Sequence, residues 1–235
     1  VDAGQGAGQY SSTIYGHEND DAIWRIEVRN TGSTAERVEV YQRDYLFRAD
    51  GTNRYDPPGR ITRSNAPWIR YSPRDFFIAP GESVTVGYTV SVPEDDRLSG
   101  TYWSLLMVQA AAATPRAPTE PGTMLVTTVL RYAVQLVTTI AGSGEPRLTF
   151  VAPSIRSADG QSALTVELHN VGEVWLRLSV WAELYDERGF QLSRIEAGTC
   201  RVYPDTSVRL DIAMGSLEPG SYQTLLVADG GGDNL

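Results

Sequence analysis

Lysine is absent from this chain: all 20 basic residues among its 235 are arginine, set against 29 acidic residues for a net charge of −9. That is the wrong sign for a nucleic-acid binder, whose footprint is a basic patch or stripe, so nucleic acid is excluded as a default partner. Cysteine occurs once, at Cys200, so no internal disulfide can form. With no histidine or lysine beside it, Cys200 reads as a small buried side chain rather than a reactive thiol. Only two histidines are present, His17 and His169, far apart in sequence, and nothing groups either into a Ser-His-Asp relay. No paired Cys or His set has zinc spacing, and no Gly-rich phosphate loop opens a helix. The acidic clusters 18–21, 94–96 and 229–233 lack the alternating ligand order of a calcium loop and read as solvated turns. The expectation is therefore a protein with no catalytic residues, no metal and no cofactor: not an enzyme. Long apolar runs are also missing, because the stretch from Met124 to Ile140 is interrupted by Thr127, Thr128, Arg131 and Gln135. It cannot cross a bilayer as a helix.

What the chain does contain is period-two patterning. In 22–29, Trp24, Ile26 and Val28 share one face and mostly charged residues the other, as a half-buried strand requires. The segments 37–47, 83–92, 101–109, 163–168, 176–185 and 206–212 read the same way, with Gly, Pro, Asn and Asp clusters between them. The fold class is all-β.

An internal repeat organises these strands. Asn30-Thr-Gly32 is echoed by Asn170-Val-Gly172, and the turn signal Ala49-Asp-Gly51 by Glu187-Arg-Gly189. The block Pro80-Gly-Glu-Ser-Val-Thr-Val86 is echoed by Pro204-Asp-Thr-Ser-Val-Arg-Leu210, and Gly100-Thr-Tyr102 by Gly220-Ser-Tyr222. Asn-x-Gly suggests a turn at which positive φ costs little, Pro-Gly a tight lead-in to the next strand, and Gly-x-Tyr a tyrosine that bonds back across a corner, as in immunoglobulin-like sandwiches. Two tandem immunoglobulin-like β-sandwiches are expected, in 1–140 and 147–235, joined by a Gly-rich hinge at 141–146.

Two segments of the first copy have no counterpart in the second. One is the excursion 51–74, with Tyr55, Trp68 and Tyr71 among arginines. The other is a Pro-rich loop followed by the alternating run 123–140, whose even positions include Met124, Val126, Leu130, Tyr132, Val134 and Leu136. Eighteen residues at about 3.3 Å each would extend roughly 60 Å, well beyond an ordinary strand. Two readings stand side by side. The strand bends at a bulge and serves both sheets of its own sandwich, or it leaves an apolar edge for a partner that lacks a strand.

Two such domains, the block Ser72-Pro-Arg-Asp-Phe-Phe-Ile-Ala-Pro-Gly-Glu-Ser-Val-Thr-Val86, the Pro-rich loop and the run ending Leu130-Arg-Tyr-Ala-Val-Gln-Leu136 together resemble periplasmic pilus-assembly chaperones. The second domain is also similar to generic immunoglobulin-like modules of bacterial envelope proteins. The chaperone resemblance implies a non-enzymatic protein that lends its long first-domain strand to the incomplete sandwich of an appendage subunit. Met124, Leu125, Val126, Thr128, Leu130, Arg131, Tyr132 and Val134 would form the contact. It also implies that a basic residue on this strand, Arg131, holds the subunit's terminal carboxylate through paired hydrogen bonds. A second basic residue expected on the first strand has no counterpart in 9–15; Arg25 and Arg29 lie on the next strand. The chain opens Val-Asp-Ala-Gly without an apolar signal core, which fits an exported product of the periplasm or cell surface. The same edge is open to self-association. The alternative is a structural or adhesive surface module that binds protein or glycan through Tyr55, Trp68 and Tyr71.

Overall fold

A computed structural model describes residues 24–110, 131–158 and 160–231. Fourteen strands and one short 3₁₀ turn, Ala66–Trp68, make up the regular structure of these residues, which hold no α-helix. The chain folds as two compact units, and the division does not fall at a single point. The first gathers the described residues up to Tyr45 with Tyr55–Asp95 and Tyr102–Thr138, and the second gathers Leu46–Arg54, Asp96–Thr101 and the chain from Thr139 onward.

In the first unit, β1 (Trp24–Arg29), β6 (Ser83–Val90) and β4 (Ile69–Ser72) form one sheet in the order β1-β6-β4. The second sheet runs β3-β2-β7-β8, from β3 (Asn53–Asp56), β2 (Glu36–Phe47), β7 (Thr101–Ala110) and β8 (Arg131–Thr139), with β5 (Asp75–Ile78) also paired to β2. Alternation explains the core: Ile26 and Val28 of β1 and Val86 and Tyr88 of β6 meet Val38 and Val40 of β2, Leu106 and Val108 of β7, and Val134 and Leu136 of β8.

The second unit repeats this plan. One sheet is β13-β10-β9, from β9 (Leu148–Ala158), β10 (Gln161–Asn170) and β13 (Ser207–Gly215). The other is β12-β11-β14, from β11 (Leu176–Tyr185), β12 (Gln191–Val202) and β14 (Gln223–Asp229). Leu168, Leu176, Leu178, Val180 and Val202 form one part of its core, and Leu164, Ala182, Leu184, Ile212 and Met214 another.

The repeated Asn-x-Gly landmark is a buried clasp. Asn30 Nδ2 donates to the Thr34 and Ile78 carbonyls while its Oδ1 accepts from Gly32 N–H. Asn170 does the same with Val174, Val202 and Gly172. The backbone repeats too: Asn30 O accepts from Gly81 N–H, and Asn170 O from Asp205 N–H. The positive φ expected at Asn-x-Gly lies instead at the turns that donate these bonds, at Gly81 (79°) and Asp205 (59°). The glycine after the asparagine answers to space. A Cβ on Gly172 would stand 2.4 Å from Arg147 N. The corner hydrogen bond expected of Gly-x-Tyr is made by Tyr222, whose hydroxyl donates to Glu218 O at 2.8 Å. Tyr102 instead packs its ring against Trp68.

Candidate functional site

β8 ends its sheet. Its one pairing neighbour among the described strands is β7, and its burial alternates, with Val134 and Leu136 in the core and Arg131 and Ala133 exposed. Tyr132 is half-buried against the same core. Arg131 is fixed at the start of the strand by Gln109 of β7, whose Oε1 accepts from Arg131 Nε at 2.7 Å. Of the expected contact residues, Arg131, Tyr132 and Val134 are thus placed on this edge strand, whereas Met124, Leu125, Val126, Thr128 and Leu130 lie outside the described residues. Among the described strands β1 ends the opposite sheet. Ile26, Val28, Ile78, Tyr132 and Val134 line a cavity of about 270 Å³, and Arg29 stands on its lining while Arg25 does not.

The excursion 51–74 does something its aromatics did not foretell. On β2 the inward positions run Val38, Val40, Gln42, Asp44, so the alternation carries a carboxylate into the interior, where Asp44 is 0% exposed. Its charge is met by donors from the excursion: Arg60 N–H and Ile61 N–H to Oδ2, and the Ser64 hydroxyl to Oδ1 at 2.5 Å. Ser64 Oγ in turn accepts from Gly59 and Ala66 N–H. Next to it, Asn65 is 0% exposed and donates through Nδ2 to Leu136 O (3.1 Å) and Thr138 Oγ1 (3.0 Å), both on β8. On β7, Trp103 N–H donates to Arg63 O. One loop thereby ties β2, β7 and β8 together through buried polar groups, which is how a buried charge avoids its desolvation cost. A charged residue at an inward strand position was the one signal in the sequence that could have found this knot.

The three excursion aromatics are dispersed. Tyr55, on β3, is 52% exposed and packs against Tyr45. Trp68 lies 4.6 Å from the Tyr102 ring centre. Tyr71 is on β4, in the other sheet, packed against the core with the Arg74 guanidinium over its ring.

His169 Nε2 sits 3.1 Å from Glu167 Oε2, and Arg209 donates to the other oxygen. The Arg209 guanidinium, with His169 second, holds the Glu167 carboxyl below its usual range. His17 lies outside the described residues. Cys200 is half-buried rather than fully so, because it faces Leu178 from β12 at a sheet edge, and burial pushes its thiol up. Among the described residues no group of three or more His, Cys, Asp or Glu could hold a metal ion, and no helix is long and apolar enough to cross a membrane.

Neither a family model nor a curated protein sequence matches the chain. Solved structures do. The chain is similar to pilus chaperones of known structure. A chain of the CsuC–CsuE chaperone–tip adhesion subunit pre-assembly complex, from the archaic chaperone-usher Csu pili of Acinetobacter baumannii, is 19% identical, with 88% of this chain and 90% of that one covered at a TM-score of 0.43. The Pseudomonas aeruginosa CupB2 chaperone is 12% identical, covering 88% and 92%, at 0.40. The Salmonella enterica SafA pilin–SafB chaperone complex matches at 14% identity, 88% and 84% coverage, and 0.40.

Proposed function

We propose that this protein is a non-enzymatic, periplasmic chaperone-like protein that binds subunits of a pilus or related surface appendage through the β8 edge. The observation that carries the reading is the place of β8: the terminal strand of its sheet among the described strands, alternating apolar and polar, which continues a sequence of the same alternation back to Met124. An unpaired edge offers backbone donors and acceptors for a ladder, and alternate side chains fill the partner's groove. A subunit whose own sandwich lacks a strand is the partner this chemistry fits. Arg131 is exposed, with Nε engaged by Gln109. Its terminal nitrogens are then the ones that would take the subunit's carboxylate as a paired hydrogen bond.

The test is recovery of partners from an envelope fraction by the wild-type chain and by a Val126→Asp, Leu130→Asp double variant whose β structure is verified by circular dichroism. A small secreted subunit with an incomplete sandwich should co-purify with the wild type and be lost from the variant. Equal recovery by both proteins would reduce the strand to a core element and overturn the reading.

A further inference from the structure

Apolar alternation fixes which face of β8 turns inward, yet it does not fix how far the strand has slid along β7. A slip of one residue would bring Ala133 and Gln135 into the core and expose Val134 and Leu136, and burial forbids it. A slip of two residues preserves the faces. Val134 would take the place of Tyr132 and Leu136 that of Val134, while Thr138 would enter the core position of Leu136, so burial opposes this slip through that one residue. A polar contact at the same end of the strand adds to that preference.

We propose that Asn65 is the register pin of β8. Its Nδ2 group is buried and donates to the Leu136 carbonyl and the Thr138 hydroxyl of β8 and, at 3.5 Å, to the Tyr102 carbonyl of β7. A backbone carbonyl recurs in every register, so the hydroxyl makes the choice: after a two-residue slip, Leu136 or Ile140 would replace Thr138 there, and that donor hydrogen would face an apolar side chain. Asn30 and Asn170 use both their oxygen and their nitrogen in clasps of the fold. The Asn65 oxygen, by contrast, is buried with no hydrogen-bond partner among the described residues. An amide kept at that cost is kept for what its nitrogen does. The loop that carries it is anchored by Asp44, so the pin is referred to β2, a strand that does not pair with β8. Asn65 is a positioning residue. It decides which residues of the upstream run come to the edge, a purpose that rests on the strand-lending role, although the pinning itself does not.

The experiment reads register directly, with no partner present. In a Cys200→Ser background, cysteines at Gln109 and Arg131, whose side chains meet in the native register, are compared with cysteines at Gln109 and Ala133, which would meet only after a two-residue slip. The first pair should oxidise readily and the second scarcely. Asn65→Leu, similar in size but without donors, should raise the share of the 109–133 disulfide about threefold or more, because the bond that distinguishes the registers is lost. Thr138→Val, which removes one acceptor and is mild enough to fold, should raise it about threefold. Val86→Ala weakens the same core from the opposite sheet and should leave the pairing unchanged. The proposal is overturned if Asn65→Leu and Thr138→Val keep the native disulfide, or if Val86→Ala shifts it as much. Neither result bears on subunit capture, which the envelope experiment judges separately.

Discussion

At the scale of single residues, the asparagine clasps are the plainest link between sequence and stability. Asn30 and Asn170 are 7% and 1% exposed, and each satisfies two carbonyls and one N–H that would otherwise be buried without partners. Replacing either by alanine should cost about 2–4 kcal/mol, measured by urea unfolding, because desolvated backbone groups are left behind. Gly100 is a second such point. Its φ is 70°, and a Cβ would stand 2.2 Å from Glu173 O, a residue of the same compact unit, so Gly100→Ala should lose about 3 kcal/mol or more. Tyr203 gives a pH dependence. Burial, opposed only in part by Arg201, pushes its phenol up to about 12. An unfolded tyrosine ionises near pH 10, so between about 10 and 12 the unfolded chain holds fewer protons than the folded one and stability falls as pH rises. Below about pH 10 this contribution is fully present. The unfolding midpoint should decline over that alkaline window, and Tyr203→Phe should flatten part of the decline. The clasps were legible in the sequence as landmarks, though for the wrong reason: the spacing announced a turn, and the structure reveals a hydrogen-bonding device.

At the scale of elements, legibility followed the regularity of the alternation. β11 spans the segment read from the sequence, because its burial alternates without interruption over ten residues. β12 escaped notice because its pairing with β11 shifts at Val180/Trp181, where Gly198 has a φ of 92°. That bulge inserts a residue and flips the inside-outside pattern halfway along the strand. β9 was hidden by Pro153 and by largely exposed positions, both tolerated because it is an edge strand. The excursion was legible only as an insertion. Its aromatic residues drew attention, while the residues that attach it are Asp44, Ser64 and Asn65, unremarkable in a sequence until burial is known. Trp68 belongs to this attachment through Tyr102. Trp68→Ala should therefore lower stability by about 2–3 kcal/mol in thermal unfolding, with partner recovery by the folded fraction unchanged.

At the scale of the whole molecule, the repeat was the strongest signal, since landmarks in one order can hardly arise from strands of unrelated domains. It yielded the all-β class and the two sandwiches. The interleaved division of the chain was beyond it, because 46–54 and 96–101 join the second unit through packing that no local pattern records. The cores form separate clusters, one around Val86 and Leu106, the others around Val166's neighbours Leu164 and Leu168. Val86→Ala and Val166→Ala should each cost about 2 kcal/mol. The losses should add within about 0.5 kcal/mol in the double variant, measured by denaturant unfolding.

The knot around Asn65 also carries its own optical label. Trp103 is 1% exposed, its backbone N–H held by Arg63 O and its indole N–H by Tyr45 O at 2.8 Å. An indole shielded from water in this way emits at short wavelength. In a chain that keeps Trp103 as its single tryptophan out of five, a red shift of the emission is the expected sign that solvent has reached this ring and that the loop has let go of β7.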